Sequence, residues 1–349
     1  MRIRTVVLAL WGAVPLAAQE IVLVPGFTQE FRGLSAHGDQ LWASGRGGVY
    51  ARSTDGGRSW KSGRIPGAEG LFLVDVQALG RDTTCVLATS FDGGIGHAYR
   101  TTDGGVSWAL TYEIEHPQAF LDGMAFWDRL HGVAFGDPVD GTFFVLRTDD
   151  GCVSWAEVRG SALAAPLEGE AGFAASGTGI AVAGTAYAWI GTGGGAVARV
   201  FRSDDRGLTW TAVATSMPGG PATGIFGIAF RDTLHGIAVA GNYQEPTGDA
   251  PTVLSTADGG LSWTVTGPAR PAGVRFGAVA LPEARAFVAA GPSGLGLSVD
   301  DGATWTPVDT LFRYGMVARD GVVWASGPTG WIARSDLTSL LQKPRAPDR

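Results

Sequence analysis

Residues 52–60 read RSTDGGRSW, and close variants return five more times along the chain. They are RTTDGGVSW (100–108), RTDDGCVSW (147–155), RSDDRGLTW (202–210), STADGGLSW (255–263) and SVDDGATW (298–305). A box of the form [S/T]-x-D-x-G-x-x-W at near-regular intervals demands a fold that uses one supersecondary unit many times. The closing tryptophans are Trp60, Trp108, Trp155, Trp210, Trp263 and Trp305, spaced 48, 47, 55, 53 and 42 residues apart. That period suits a propeller blade or solenoid coil of about four short strands.

Two further repeats fix the number of units. WASGRGGVYARS (42–53) matches WASGPTGWIARS (324–335) at an offset of 282, six periods of 47. MAFWDRLHGVAFG (124–136) matches IAFRDTLHGIAVAG (228–241) at an offset of 104, two units apart. A seventh unit therefore ends the chain, with a degenerate box at SDLTS. That unit lacks a fourth strand, whereas EIVLVPG (20–26) has no unit of its own. The expected fold is an all-β seven-bladed propeller over 20–340, its ring closed by the N-terminal strand, which removes a free edge.

The box residues have a structural reading. The Ser or Thr hydroxyl and the carboxylates of Asp55, Asp103, Asp150, Asp205, Asp258 and Asp300 accept hydrogen bonds from turn amides. Glycine supplies backbone angles closed to other residues. Each tryptophan buries its ring between sheets, at most about 5 kcal/mol for ~200 Å² at ~25 cal/mol/Å². The third box departs from the pattern, with Cys152 where glycine is expected. One or two carboxylates per box do not make the spaced oxygen series of a calcium loop.

The ends read as processing segments. Arg2 and Arg4 precede an apolar run, and PLAAQ offers small residues for cleavage near Ala18. Residues 1–18 are expected to be an export signal, cleaved or kept as an anchor, and 341–349 a tail. The apolar run is short for a bilayer span. Export to the periplasm is the implied location. In that compartment Cys85 and Cys152, the two cysteines, could pair; as residues of different repeats they otherwise read as small buried fillers. A net charge of −7 argues against nucleic acid as a partner.

The boxes are those of the Asp-box, or bacterial neuraminidase repeat, propellers. The finer pattern, Arg before TTDGG-x-[ST]-W with a preceding F-x-D-x-x-x-G, resembles the photosystem II stability and assembly factor family of cyanobacteria and chloroplasts. The resemblance implies a non-enzymatic, seven-bladed propeller. It would dock on reaction-centre polypeptides of a membrane complex and so associate peripherally with the membrane. It also draws attention to the pre-box Arg52, Arg100, Arg147, Arg202 and Arg334, because an Arg-rich surface is implicated in partner binding there; paired strand-end charges are the other reading. The segment FGDPVDGTFFVLRTDDG (135–151) looks more like secreted bacterial relatives.

Catalysis finds little support. Sialidases share the boxes and need an Arg-Ile-Pro motif before the first; here GRIP (63–66) follows it. The five histidines show no metal-ligand spacing, and GTGGGAVAR (191–199) lacks the Lys-Ser/Thr of a phosphate loop. No catalytic, metal or cofactor residue is assigned, and a sialidase-like glycan binder or hydrolase is the alternative. One irregularity points to binding. The loops between second and third strands are short in units one, six and seven and longer in units two to five, at 90–97, 136–142, 184–195 and 241–251. These are expected on one face of neighbouring blades, presenting His97, Asp137, Asp140, Tyr187, Trp189, Tyr243 and Glu245 to a protein partner. Trp189 is expected to be the exposed anchor.

Overall fold

The computed structural model describes residues 19–159 and 162–342. The expected leader (1–18) and most of the expected tail (341–349) lie outside the described residues. Seven four-stranded antiparallel sheets succeed one another along the chain. Blade 1 shows the pattern: Phe31–His37 innermost, then Gln40–Gly45, Val49–Ser53 and, outermost, Lys61–Arg64. Blades 2 to 6 occupy 72–115, 121–158, 180–218, 223–267 and 277–307. Blade 7 takes its first three strands from 316–336 and its outermost from Gln19–Leu23, which pairs antiparallel with Trp331–Asp336 from Gln19↔Ser335 to Leu23↔Trp331. The ring is closed by the N-terminal strand, as the unpaired EIVLVPG predicts. Among the described residues no helix is long and apolar enough to cross a membrane.

The strands alternate direction, so the boxes and the first-to-second turns share one face, and the second-to-third loops share the other. In the first box Ser53 Oγ accepts from Gly57 N at 2.9 Å and donates to Asp55 Oδ1 at 2.8 Å. Asp55 in turn accepts from Ser59 N at 2.9 Å and Ser59 Oγ at 2.6 Å, and Trp60 Nε1 donates to Gly57 O at 3.2 Å. The bonds to the Asp and to the box hydroxyl recur in all six boxes. The Ser59 and Ser107 bonds favour the ionised acid and hold Asp55 and Asp103 down to about 2. The two residues after the Asp are left-handed, which suits glycine; Arg206, Asp301 and Cys152 are held there at φ 60, 56 and 70.

The boxes also join the blades. A second-strand side chain of one blade packs on the box backbone of the next: Val133 meets Gly207, Ile237 meets Gly302, Trp189 meets Gly260 and Trp324 meets Gly57. At this same strand position in blade 2 stands Cys85, opposite Arg100 as Trp42 is opposite Arg52. Cys85 is bonded to Cys152 of the third box. The cysteines are thus a covalent seam between blades 2 and 3, and the filler reading is corrected. The pre-box arginines reinforce the seams. Arg52, Arg100, Arg147 and Arg202 donate to the carbonyls of Gly104, Gly151, Arg206 and Gly259, each in the following box, at 2.7–3.1 Å.

Candidate functional site

The loop face carries a cavity of about 560 Å³ at the mouth of the central channel. Its wall begins with the inner strands. A bulge interrupts pairing between Phe31 and Gly33, between Leu121 and Gly123, and between Ile225 and Gly227. A bulged residue is re-aimed out of the strand's alternation. The three residues at these bulges, Arg32, Asp122 and Phe226, all line the cavity. Phenylalanines at the heads of the units, Phe72, Phe120, Phe173, Phe276 and Phe312, complete the wall with Tyr314. Phe91, Tyr243, Pro246 and Pro292 reach it from the second-to-third loops, and Asp137 from the second strand of blade 3, Gly132–Val139, which takes up most of the loop expected at 136–142 and leaves a two-residue turn.

The floor is a segment with no counterpart in the other units. Before the inner strand of blade 4 the chain enters the ring at 173–178. Arg32 Nη1 of blade 1 donates to Ala174 O and Ala175 O at 3.4 and 3.3 Å. Thr178 O accepts from Ile228 N of blade 5 at 2.8 Å, and Thr178 Oγ1 from Ala278 N of blade 6 at 3.2 Å. Glu170, 3 % exposed, anchors the approach by accepting from Leu167 N at 2.8 Å, Thr192 Oγ1 at 2.5 Å and Arg199 Nε at 2.9 Å.

Aromatic rings form a near-continuous belt. Phe173 lies 4.6 Å from Phe226 and 6.2 Å from Tyr243, and Phe276 stacks on Tyr314 at 5.8 Å. Arg32 sits 4.1 Å over Tyr314, and Arg46 4.1 Å over Phe91. Two buried carboxyls, Asp75 and Asp122, and the half-buried Asp137 lie near the channel. Burial pushes Asp75 up to about 8, although Val76 N and Met124 N donate to it at 2.7 and 2.8 Å. Burial raises Asp137 to about 6; burial and the neighbouring Asp137 charge raise Asp122 well above the carboxylate range.

The expected binding residues separate into groups. Asp137 and Tyr243 line the cavity, with Tyr243 45 % exposed, and Glu245 is exposed on the same loop beside Pro246. Asp140 is exposed at a turn of the same face, paired with His116 at 3.5 Å. His97 is not on a loop. It lies in the third strand Ile95–Thr101, half-buried, its Nδ1 3.0 Å from Tyr99 Oη, and burial lowers its pKa.

Tyr187 and Trp189 also leave the group, because Tyr187–Gly191 is the second strand of blade 4, not a loop. Trp189 is wholly buried, stacked 3.5 Å from Phe230, with Nε1 donating to Gly259 O at 2.8 Å. The expected exposed anchor is thus a seam residue. The error has a specific origin: GIAVAG occurs at 179–184 and at 236–241. The first copy contributes the inner strand of blade 4 and the second the second strand of blade 5. Arg32, Asp122 and the aromatic belt escaped sequence reasoning. The phenylalanines ahead of the inner strands of blades 3, 4, 6 and 7, Phe120, Phe173, Phe276 and Phe312, were the available signal.

Arg64 of the GRIP stretch lies on the outermost strand of blade 1 and donates to Gly47 O. Among the described residues no group of three or more His, Cys, Asp or Glu is placed to hold a metal ion.

No protein-family model matches the chain. No curated protein is a significant sequence match. Solved structures do match in fold. YCF48 bound to D1 peptide aligns over 93% of this chain and 98% of its own, at 15% identity and a TM-score of 0.60. The GH74 xyloglucanase from Xanthomonas campestris aligns over 95% of this chain but 55% of its own, at 15% identity and TM-score 0.63. The WD40 propeller domain of Doa1 aligns over 93% and 97%, at 12% identity and TM-score 0.61. The chain is therefore a seven-bladed propeller whose structural neighbours include the photosystem II assembly factor YCF48.

Proposed function

We propose that this propeller is a non-catalytic docking subunit. It holds a polypeptide segment of a membrane protein complex on its loop face and serves that complex in assembly or stabilisation. The observation that carries the reading is the aromatic cavity of about 560 Å³, floored by the 173–178 segment and rimmed by exposed Phe91 and Tyr243. Apolar rings with a few placed charges suit an inserted chain better than a solvated small polar substrate. The peptide carried by YCF48 supports the same use of a shared fold. A photosynthetic reaction centre is the first candidate complex. A periplasmic location is supported by the basic, apolar, small-residue order of the leader and by the Cys85–Cys152 bond, since disulfides persist in oxidising compartments.

The test is purification of the tagged full chain from detergent-solubilised native membranes, with identification of what accompanies it. The reading expects subunits of one membrane complex, lost in the Phe91→Ala/Tyr243→Ala double variant. Recovery of the protein alone, or of the same complex with both variants, contradicts it.

A glycan-hydrolysing reading rests on the xyloglucanase neighbour and on Asp122 and Asp137 as an acid–base pair. With Asp122 only 3 % exposed, its carboxyl is poorly placed to protonate a glycosidic oxygen. Turnover of xyloglucan or of a fluorogenic sialoside that disappears in Asp137→Asn would establish the hydrolase instead.

A further inference from the structure

The charges around the cavity are unevenly matched. On the side of blades 7, 1 and 2 the aromatic faces already carry cations. Arg32 covers Tyr314 and Arg46 covers Phe91, and both share Glu30, at 3.7 and 2.6 Å. On the side of blades 3 to 5 the arrangement is inverted. Asp122 and Asp137 lie in the wall with Phe173, Phe226 and Tyr243. Among the described residues no Arg, Lys or His forms an ion pair with either acid. Asp122 accepts from the Ala174 backbone, yet its Oδ2 has no hydrogen-bond partner although the residue is 97 % buried (3 % exposed). Asp137, the more accessible of the two, accepts from Gly172 N at 2.8 Å and, among the described residues, from no other group. Burying a carboxylate without a counter-charge is unfavourable. The fold keeps the buried Asp122 carboxyl beside that of the half-buried Asp137 at a cavity wall.

We propose that this half of the cavity is a binding site for the ammonium or guanidinium group of a Lys or Arg side chain carried by the docked polypeptide. Asp137 takes the cation directly, with the unpartnered Asp122 Oδ2 behind it as a second acceptor. The rings of Phe173 and Tyr243 pack along the apolar stem and offer their faces to the charge, an attraction that strengthens away from water. An acidic group is disfavoured here by Asp137, and the guanidinium that lines the same cavity, Arg32, is already engaged by Glu30, Ala174 O and Ala175 O. The proposal rests on the reading of this face as a polypeptide-docking surface and names the side-chain chemistry it selects.

The experiment uses the full chain and three probes: acetyl-Phe-Lys-Phe-amide, its norleucine counterpart and its glutamate counterpart, titrated by NMR. The lysine peptide should bind at least tenfold more tightly than the norleucine peptide. Asp137→Asn should bring the two together while the thermal midpoint holds. Asp122→Asn, which exchanges a carboxyl that burial keeps protonated for a neutral amide, should change the preference less than Asp137→Asn does. Equal affinities in the wild type, preference for the glutamate peptide, or discrimination that survives Asp137→Asn overturns the proposal. Co-purification keeps the two levels apart. If the membrane complex depends on Tyr243 but the lysine peptide shows no preference, the cation site falls and the docking surface stands. If n-butylammonium displaces the lysine peptide while no complex depends on the loop face, the cation site stands and the docking reading falls.

Discussion

Cys85 and Cys152 are bonded across the seam between blades 2 and 3, with Cα atoms 6.2 Å apart, where the next two seams place Val133 on Gly207 and Trp189 on Gly260. The ring thus uses one contact position with different chemistry at different seams. The bond closes a loop with a sequence separation of 67 residues. Loop-closure entropy puts its contribution at about 4 kcal/mol. Reduction should lower the midpoint of unfolding accordingly. Cys85→Val with Cys152→Gly, which copies the following seam, should be better tolerated than Cys85→Ser with Cys152→Ser. Cys152 sits at φ 70, where glycine is unstrained, and Cys85 is fully buried, where serine would bring an unpaired hydroxyl. Calorimetry on the two double variants checks the order.

Trp189→Ala should lower stability by about 3–5 kcal/mol, because it empties a fully buried seam between blades 4 and 5. Partner capture measured below the variant's midpoint should be unchanged. Tyr243→Ala should do the reverse, leaving the midpoint within about 0.5 kcal/mol and weakening capture by about 2 kcal/mol.

Glu170 tethers the approach to the channel floor, and the half-buried Arg199 is its counter-charge. Removing one partner of such a pair strands the other, at about 3 kcal/mol or more. Glu170→Ala should therefore lower the midpoint and also weaken partner capture, by loosening 173–178 beneath the cavity. Preserved capture with a lowered midpoint would detach the floor from binding.

The pH dependence of stability has two opposed parts. Asp75 binds its proton more tightly folded than unfolded, with a pKa near 8 against 3.8. Its effect is to lower stability as pH rises from about 4 to about 8, with a slope of at most ~1.4 kcal/mol per pH unit. Asp55 and Asp103 work the other way: their contribution is present above about pH 4 and is lost as pH falls toward 2. Denaturant midpoints between pH 4 and 8 should fall more steeply in the wild type than in Asp75→Asn. Equal slopes would contradict the burial of a protonated Asp75.

The architecture was legible because its determinants are local and repeated. Six boxes gave the period, Trp42 and Trp324 gave the seventh unit, and the unpaired EIVLVPG gave the closure. The site was less legible because it depends on departures from the repeat. The bulges that turn Arg32 and Asp122 toward the channel leave no mark in hydrophobic alternation, and 173–178 has no counterpart in the other blades. In blade 4 an identical hexapeptide misled, since a strand rich in small residues packs equally well in the innermost or the second place. Tyr243 was found because its loop is long, a signal independent of strand register; Asp137 was named although the loop expected around it is the end of a strand.

The most direct test of the docking account compares the two faces of the ring. Tyr243 is 45 % exposed at the cavity rim and Leu261 is 62 % exposed on the box face. Each is replaced in turn by a benzophenone-bearing residue, and the protein is irradiated with native membranes. The account predicts an adduct with one subunit of a membrane complex from position 243 and none from position 261. An adduct from 261 alone, or none from either, would contradict it.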